Sequence, residues 1–364
     1  MVSKGPLRMS RTLRKSPSPF LLRSVIAILA GLGIAGSGAP QSIAQSAPNC
    51  NGPLRKINIG VAVAPPNVVH TAPYVAKALG FFAKRCIDAN VIQFDGGAAG
   101  TSVTAVGQGS AISNLPDSAI AQGLKARQIW GLAPRPPQAY VVSADIKTPA
   151  DLKGKRLSAA GGIGGFNWLV GRAALRTGGL TVDEAQFISQ GTAGRLPGFV
   201  AGQIDAVALH PEDVQLVQQR KPGAHVLITL ADLWPKYSFN AYGASEALIA
   251  KDHDLLRDAV AAMIEANRTI YRDPAKAVAA IVEATQKPRE AVEYAIGIET
   301  KGCVLSVNSG FVRERTEWTH QNNIDVGDIP ADKKLGYDQI ADFKLAEEAV
   351  ASLGGPVTIG ECKD

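Results

Sequence analysis

The stretch that most constrains the fold is residues 151–213. Three times a short apolar segment meets a glycine-rich or polar turn, and helical sequence follows. The turns are Gly161, Gly162, Gly164 and Gly165 after Ala160; Gly191 to Gly194 after Ile188; and His210 with Pro211 after Leu209. This is βα grammar. In such folds ligands gather at the carboxyl ends of strands, where the turns converge. Upstream, residues 57–63 and 89–94 read as strands, each followed by a turn and a helix. Residues 129–133 and 140–143 read as further strands separated by Pro134, Pro136 and Pro137. From residue 252 onward the pattern changes to amphipathic helices, a helical buttress rather than a further catalytic domain. In the first of these helices Asn267 interrupts the apolar face.

A chain of 364 residues is long for one ordinary domain and suits two. The net charge of +6 is concentrated in the first 23 residues, so a nucleic-acid footprint has no support. Those basic residues precede an apolar run over 25–35 and the small-x-small site Ser42, Ile43, Ala44. The pattern predicts a secretory signal peptide over 1–44 and a periplasmic mature protein. Cys50, Cys86, Cys303 and Cys362 are an even set in an exported chain, which predicts disulfides with three pairings open.

Catalytic signatures are missing. The glycine clusters at Gly96, Gly97 and Gly100 and at 161–165 lack the Lys-Ser/Thr of a P-loop and do not open a dinucleotide fingerprint. They suit either close approach of backbone to a ligand or a tight turn. His70 and His210 follow strands and could donate hydrogen bonds; His225, His253 and His320 read as surface residues, and no two histidines show metal spacing. Ser113 and Ser158 lack a nucleophile elbow. Glu212 and Asp213 are adjacent on a helix and so do not read as a working carboxylate pair. Tyr74, Trp130, Tyr140, Phe166, Trp168 and Tyr242 flank the turns, as core or as aromatic walls for a small organic ligand. Asn114, Asp117, Asn167 and Thr192 are turn residues that could meet polar groups or cap helices. The candidate ligand-binding set is Asn67, His70, Tyr74, Gly96, Gly97, Thr101, Asn114, Gly162, Gly164, Phe166, Asn167, Thr192, His210 and Tyr242, with no catalytic residue, metal or cofactor expected.

Several stretches together resemble the solute-binding proteins of ABC importers, in the nitrate/sulfonate/taurine and thiamine-precursor branch. They are HTAPYVAK at 70–77 with GFF at 80–82, FDGG at 94–97, LKGKRL at 152–157, ALRTGGL at 174–180, FVAGQIDAV at 199–207, and the segment 266–275. The resemblance covers 57–353. It implies an α/β fold of type 2 with two lobes, each a mixed sheet flanked by helices, backed by the C-terminal helices. Lobe 1 would comprise 55–140 plus 242–364 and lobe 2 would comprise 141–241. It further implies a monomer that closes on a small solute by hinge motion and delivers it to an inner-membrane ABC permease. The pocket would form from the turns after Val63, Phe94, Ile112, Ala159, Ile188 and Leu209.

One departure bears on the solute. A nitrate or sulfonate site should hold a basic side chain, yet the nearest are Arg135 and Arg195, both readable as surface residues. The residues therefore suit a small organic acid, sulfonate or heteroaromatic solute better than an inorganic anion. Two alternatives remain: an enzyme on the same fold, similar to a pyrimidine-precursor synthase, or a sensory ligand-binding protein.

Overall fold

The computed structural model describes residues 50–94 and 99–364. The signal-peptide reading, Gly96 and Gly97 lie outside the described residues.

The chain opens with β1 (Arg55–Val61), whose Ile57, Ile59 and Val61 alternate into the core. Helix α1 (Ala72–Ala78) follows, and β2 (Ile87–Gln93) pairs in parallel with β1. Then come α2 (Ala99–Gly107), the two-residue β3 (Ser113–Asn114), α3 (Asp117–Ala121) and β4 (Ala126–Ala133). A parallel bridge between Ile59 and Ile112 ties β1 to the entry of β3.

After Pro134–Gln138 the chain enters a second sheet. Its elements are β5 (Ala139–Val142), β6 (Arg156–Ala160), α4 (Phe166–Thr177), β7 (Gln186–Gln190), α5 (Arg195–Val200), β8 (Ala206–Leu209), α6 (Pro211–Arg220) and β9 (His225–Thr229), in the order β7-β6-β8-β5-β9. Strands β6, β7 and β8 run parallel, so their carboxyl ends open on one edge. Period-2 alternation divides β8 between two cores. Ala206 and Ala208 face α4, whereas Val207 and Leu209 face Phe199 and Val217. The mixed sheet is therefore covered on both faces.

The return passes through α7 (Leu230–Leu233) into β10 (Asn240–Ser245), which inserts antiparallel between β3 and β4. The two crossing segments run side by side: Leu230 N–H donates to Gln138 O at 2.9 Å, and Phe239 N–H to Ala133 O at 3.0 Å. The C-terminal part is helical: α8 (Glu246–Lys251), α9 (His253–Arg272), α10 (Pro274–Thr285), α11 (Arg289–Lys301), α12 (Arg313–Asp325), α13 (Tyr337–Ile340) and α14 (Phe343–Ser352).

Helix α9 is the spine of the first core. Leu256, Val260, Met263, Ile264 and Ile270 bury the face that meets α1, α10 and α14. Each such side chain contributes about 1.5–3 kcal/mol by leaving water. Asn267 is fully buried on that face, and its Nδ2 donates to Ser306 O at 2.9 Å. The polar interruption is thus a fastening for the loop after α11. That loop also packs on β4, where a Cβ on Gly131 would lie 2.3 Å from the Gly310 carbonyl oxygen. Only glycine allows this approach.

All four cysteines are paired, Cys50 with Cys86 and Cys303 with Cys362. They close loops with sequence separations of 36 and 59 residues. Restricting the unfolded chain over loops of that size is worth about 4 kcal/mol each in the chain-entropy account. Replacing Cys303 and Cys362 together by Ser should therefore lower the unfolding free energy by about 2–4 kcal/mol in urea denaturation. An unchanged midpoint would contradict a stabilising role.

Candidate functional site

Where the two crossing segments meet the open edge of the second sheet, the structure encloses a cavity of about 340 Å³. Its walls are strand ends. Ala62 and Val63 follow β1; Asn114 to Ser118 join β3 to α3; Gly161 and Gly164 to Asn167 join β6 to α4; Thr192 and Arg195 follow β7; His210 follows β8. Gln138 and Tyr237 to Ala241 enter from the crossing segments, and α12 contributes Thr316, Thr319 and Asn323. The volume is that of a small-molecule site.

A directional chain of hydrogen bonds runs along one wall. Ala62 N–H donates to Asn114 Oδ1 at 3.0 Å, Asn114 Nδ2 to Asn240 Oδ1 at 2.6 Å, and Asn240 Nδ2 to His70 Nε2 at 3.1 Å. A backbone N–H can only donate, so every amide in the chain has its orientation set. His70 Nε2 is left as the acceptor, and the ring proton sits on Nδ1. Burial, reinforced by the Arg195 charge, pushes the His70 pKa down to about 3. His210 lies beside His70. Its Nε2 is 3.2 Å from Gln138 Nε2, and burial, then Arg195, hold it far below the ordinary histidine range. Both imidazoles are neutral near pH 7. Their rings lie 5.6 Å apart, and each is 5.9 Å from the ring of Phe239. Phe166 meets Phe239 at 5.3 Å, with Tyr237 and Trp234 behind it. The result is an aromatic wall beside a line of neutral amides.

Behind this wall the two sheets are joined by buried charge. Glu212 Oε1 accepts from Asn67 Nδ2 at 2.7 Å and from Val68 N–H at 3.3 Å. Arg195 Nη2 donates to Asn67 Oδ1 at 2.8 Å and reaches Asp213 Oδ2 at 3.4 Å; Lys287 also pairs with Asp213. Glu212 and Asp213 sit in the first turn of α6, where the helix dipole favours negative charge. Burial, and then the neighbouring Asp213, raise the Glu212 pKa to about 6. Burial, and then Glu212, raise that of Glu299 on α11 well above the carboxylate range. Both shifts make the folded chain take up protons. The stability these two groups confer is full below pH ~4.5 and is lost as the pH rises through the raised folded values, ~6 for Glu212 and higher for Glu299.

At the other end of the cavity, Asp117 accepts from His320 Nδ1 at 2.7 Å and from Asn323 Nδ2 at 2.8 Å. Leu335 N–H donates to His320 Nε2 at 2.8 Å, which places that ring's proton on Nδ1. Asp328 lines the same end, and burial raises its pKa. Among the described lining residues Arg195 is the one Lys or Arg, and Asp213 already pairs with it.

Seven of the sequence-derived candidates line the cavity: His70, Asn114, Gly164, Phe166, Asn167, Thr192 and His210. Five do not. Asn67 belongs to the charge junction. Tyr242 is fully buried and stacks on Trp130 at 6.0 Å. Tyr74 is half-buried on α1, Thr101 is exposed on α2, and Gly162 turns the chain with φ +96° beside the lining. Two further expectations are corrected. Arg195 is buried, with Asn67 and Asp213 on its guanidinium. His320 is buried against Asp117. Glu212 and Asp213, as their adjacency on the helix predicts, engage different partners, and both are buried at one junction. Gln138, Phe239 and Asn240 were missed. They lie on the crossing segments, and a crossing between sheets borders the space between them; that topological position is the signal that could have found them.

The NMT1/THI5-like family profile matches residues 67–277, more than half of the chain. The chain belongs to that family. Among curated proteins, relatives of the chain include candidate binding proteins of Brucella abortus (strain 2308) and Brucella suis biovar 1 (strain 1330). Each is 26% identical over 139 residues, 38% of this chain and 43% of theirs. The chain thus spans less than half the length of these relatives.

Among solved structures, the alkanesulfonate-binding protein SsuA of Xanthomonas axonopodis pv. citri, bound to MOPS, aligns with TM-score 0.63 at 18% identity, over 79% of this chain and 99% of its own. The periplasmic nitrate-binding protein NrtA of Synechocystis PCC 6803 aligns with TM-score 0.64 at 16% identity, over 82% and 89%. The desulfurization enzyme DSZB aligns with TM-score 0.60 at 16% identity, over 82% and 99%. These likenesses establish the two-lobed α/β fold that the sequence predicts.

The amide chain yields a direct expectation. Imidazole ¹⁵N NMR at pH 5.5 should show His70 and His210 neutral, with His70 as the Nδ1–H tautomer. A protonated His70, or the Nε2–H form, would contradict the hydrogen-bond polarity.

Proposed function

We propose that this NMT1/THI5-like protein captures a small solute in the cavity and serves as the binding component of an ABC importer. In this reading it works in the periplasm as a monomer and delivers its solute to a membrane permease. Lobe 1 (55–140 plus 242–364) and lobe 2 (141–241) close on the solute by hinge motion. His70, Asn114, Phe166, Asn167, Thr192 and His210 contact it, together with Gln138, Phe239 and Asn240.

The observation that carries the choice of solute is the charge of the lining. Two imidazoles are held neutral, Arg195 is already paired with Asp213, and Asp117 and Asp328 face the same space. A small anion entering here would give up water without gaining an unpaired cation. A flat, uncharged or weakly basic heteroaromatic gains amide donors and acceptors along one edge and the Phe166–Phe239 wall on its face. Within the range of solutes the sequence suggests, the site therefore favours a heteroaromatic over an organic acid or sulfonate, even though two proteins sharing the fold bind sulfonate and nitrate.

DSZB keeps an enzyme reading in view, because it places catalysis on this fold. Here all four cysteines are tied in disulfides, so no thiol is available as a nucleophile. That supports binding over turnover.

A thermal-shift panel of aminopyrimidines, alkanesulfonates, small carboxylates and nitrate tests the reading. A heteroaromatic present at 100 times its Kd should stabilise the fold by about 2.7 kcal/mol and raise the Tm by several degrees. Asn240→Ala should weaken that binding at least tenfold. A shift with nitrate or alkanesulfonates alone would overturn the charge argument. Turnover of the bound heteroaromatic would overturn the binding-protein reading.

A further inference from the structure

A second concavity, of about 470 Å³, lies against the crossing segments and is larger than the cavity above. It draws on both sheets' surroundings: α6 and β9 on one side, α11 and the start of α12 on the other. Its floor and rims are stiff, because Pro136, Pro137, Pro211 and Pro235 all border it.

Two features single it out. The first is apolar. Five large hydrophobic side chains are exposed among the described residues, and three of them, Val226 at 38%, Tyr294 at 39% and Ile298 at 42%, line this groove. Scattered exposed hydrophobics are ordinary, but convergence in one concavity is not. The second is cationic. Arg135 and Arg315 both line the groove, and neither has an ion-pair partner among the described residues. Arg315 donates to the carbonyl oxygens of Pro134 at 3.4 Å and Pro235 at 3.2 Å, while the adjacent Glu314 pairs with Lys236 instead. Arg135 Nε is buried without a partner. Burial, and then the charge of Arg135, depress the basicity of Arg315. Two guanidiniums that repel each other beside an apolar strip lack a counter-charge.

We infer that this groove is a second ligand site, for a small amphipathic anion. A carboxylate or sulfonate head would bridge Arg135 and Arg315, and an apolar chain or ring would lie on Val226, Tyr294 and Ile298. Guanidinium forks match the two-oxygen geometry of such heads. The enclosed volume lies within the range of small-molecule sites. The charge preference is opposite to that of the neutral cavity, so the two sites select different chemistry. They share Gln138, so an occupant of the groove rests on the same crossing segment that walls the cavity.

Calorimetric titration of the full mature chain with sodium octanoate and sodium octanesulfonate, against 1-octanol, tests this. The expected result is one saturable site for the two anions, with octanol at least tenfold weaker. Arg135→Gln and Ile298→Glu, both at solvent-accessible positions, should each weaken the anions at least tenfold. Asn240→Ala, which alters the other cavity, should leave them unchanged. No saturable binding up to millimolar anion, equal binding of octanol, or loss in Asn240→Ala with retention in Arg135→Gln and Ile298→Glu would each overturn the proposal. Circular dichroism on every variant separates lost binding from lost folding, and either groove variant alone suffices if the other fails to fold.

Discussion

The structure depends on one desolvated polar junction, in which Glu212 and Asp213 on the first turn of α6 meet Asn67, Val68, Arg195 and Lys287. A buried charge depends on its partners, and removing one partner of such a set costs about 3–5 kcal/mol. Here the partners come from both sides. Arg195 and the carboxylates follow strands of the second sheet, whereas Asn67 and Val68 follow β1 and Lys287 follows α10. The junction therefore sets how the two sheets face each other. It also aims the cavity, because His210 is the residue that caps α6, immediately before Pro211 and Glu212. Fixing the carboxylates behind fixes the imidazole in front.

The same junction accounts for the cavity's electrostatics. Arg195 lies close enough to depress both histidines, yet Asp213 and Asn67 already occupy it. The cavity consequently presents neutral, oriented amide and imidazole groups instead of a free cation. Specificity of this kind works by leaving a wrong ligand unpaired as much as by pairing the right one.

Much of the fold was legible in the sequence because it rests on local signals. Period-2 runs such as Val207 to Leu209 and the glycine turn at 161–165 placed the strand ends, and the strand ends placed His70, Asn114, Asn167 and His210 around one space. What stayed hidden depends on partners far away in sequence. Glu212 meets Asn67 across 145 residues, and His320 meets Asp117 across 203. A charged or polar residue reads as exposed until its partner is known, which is why Arg195 and His320 were misjudged. Asn267 is the local version of the same limit: a polar residue on an apolar stripe looks like a break, and only the Ser306 carbonyl explains it. The sequence could not divide the aromatics between core and cavity wall, and Tyr242 was placed on the wrong side, for a different reason. Trp130, Tyr140 and Tyr242 flank the right turns, but strand residues alternate faces, and these three point into the cores.

The central claim is that the polar junction fixes the second sheet against the segment that follows β1, beside the cavity. The most direct test is the distance between spin labels carried by p-acetylphenylalanine at the exposed positions Lys125 and Lys153, measured by pulsed electron paramagnetic resonance with and without Glu212→Ala. The account predicts one narrow distance in the parent chain and a broadened, longer distribution in the variant. An unchanged distribution in a folded Glu212→Ala chain would contradict it.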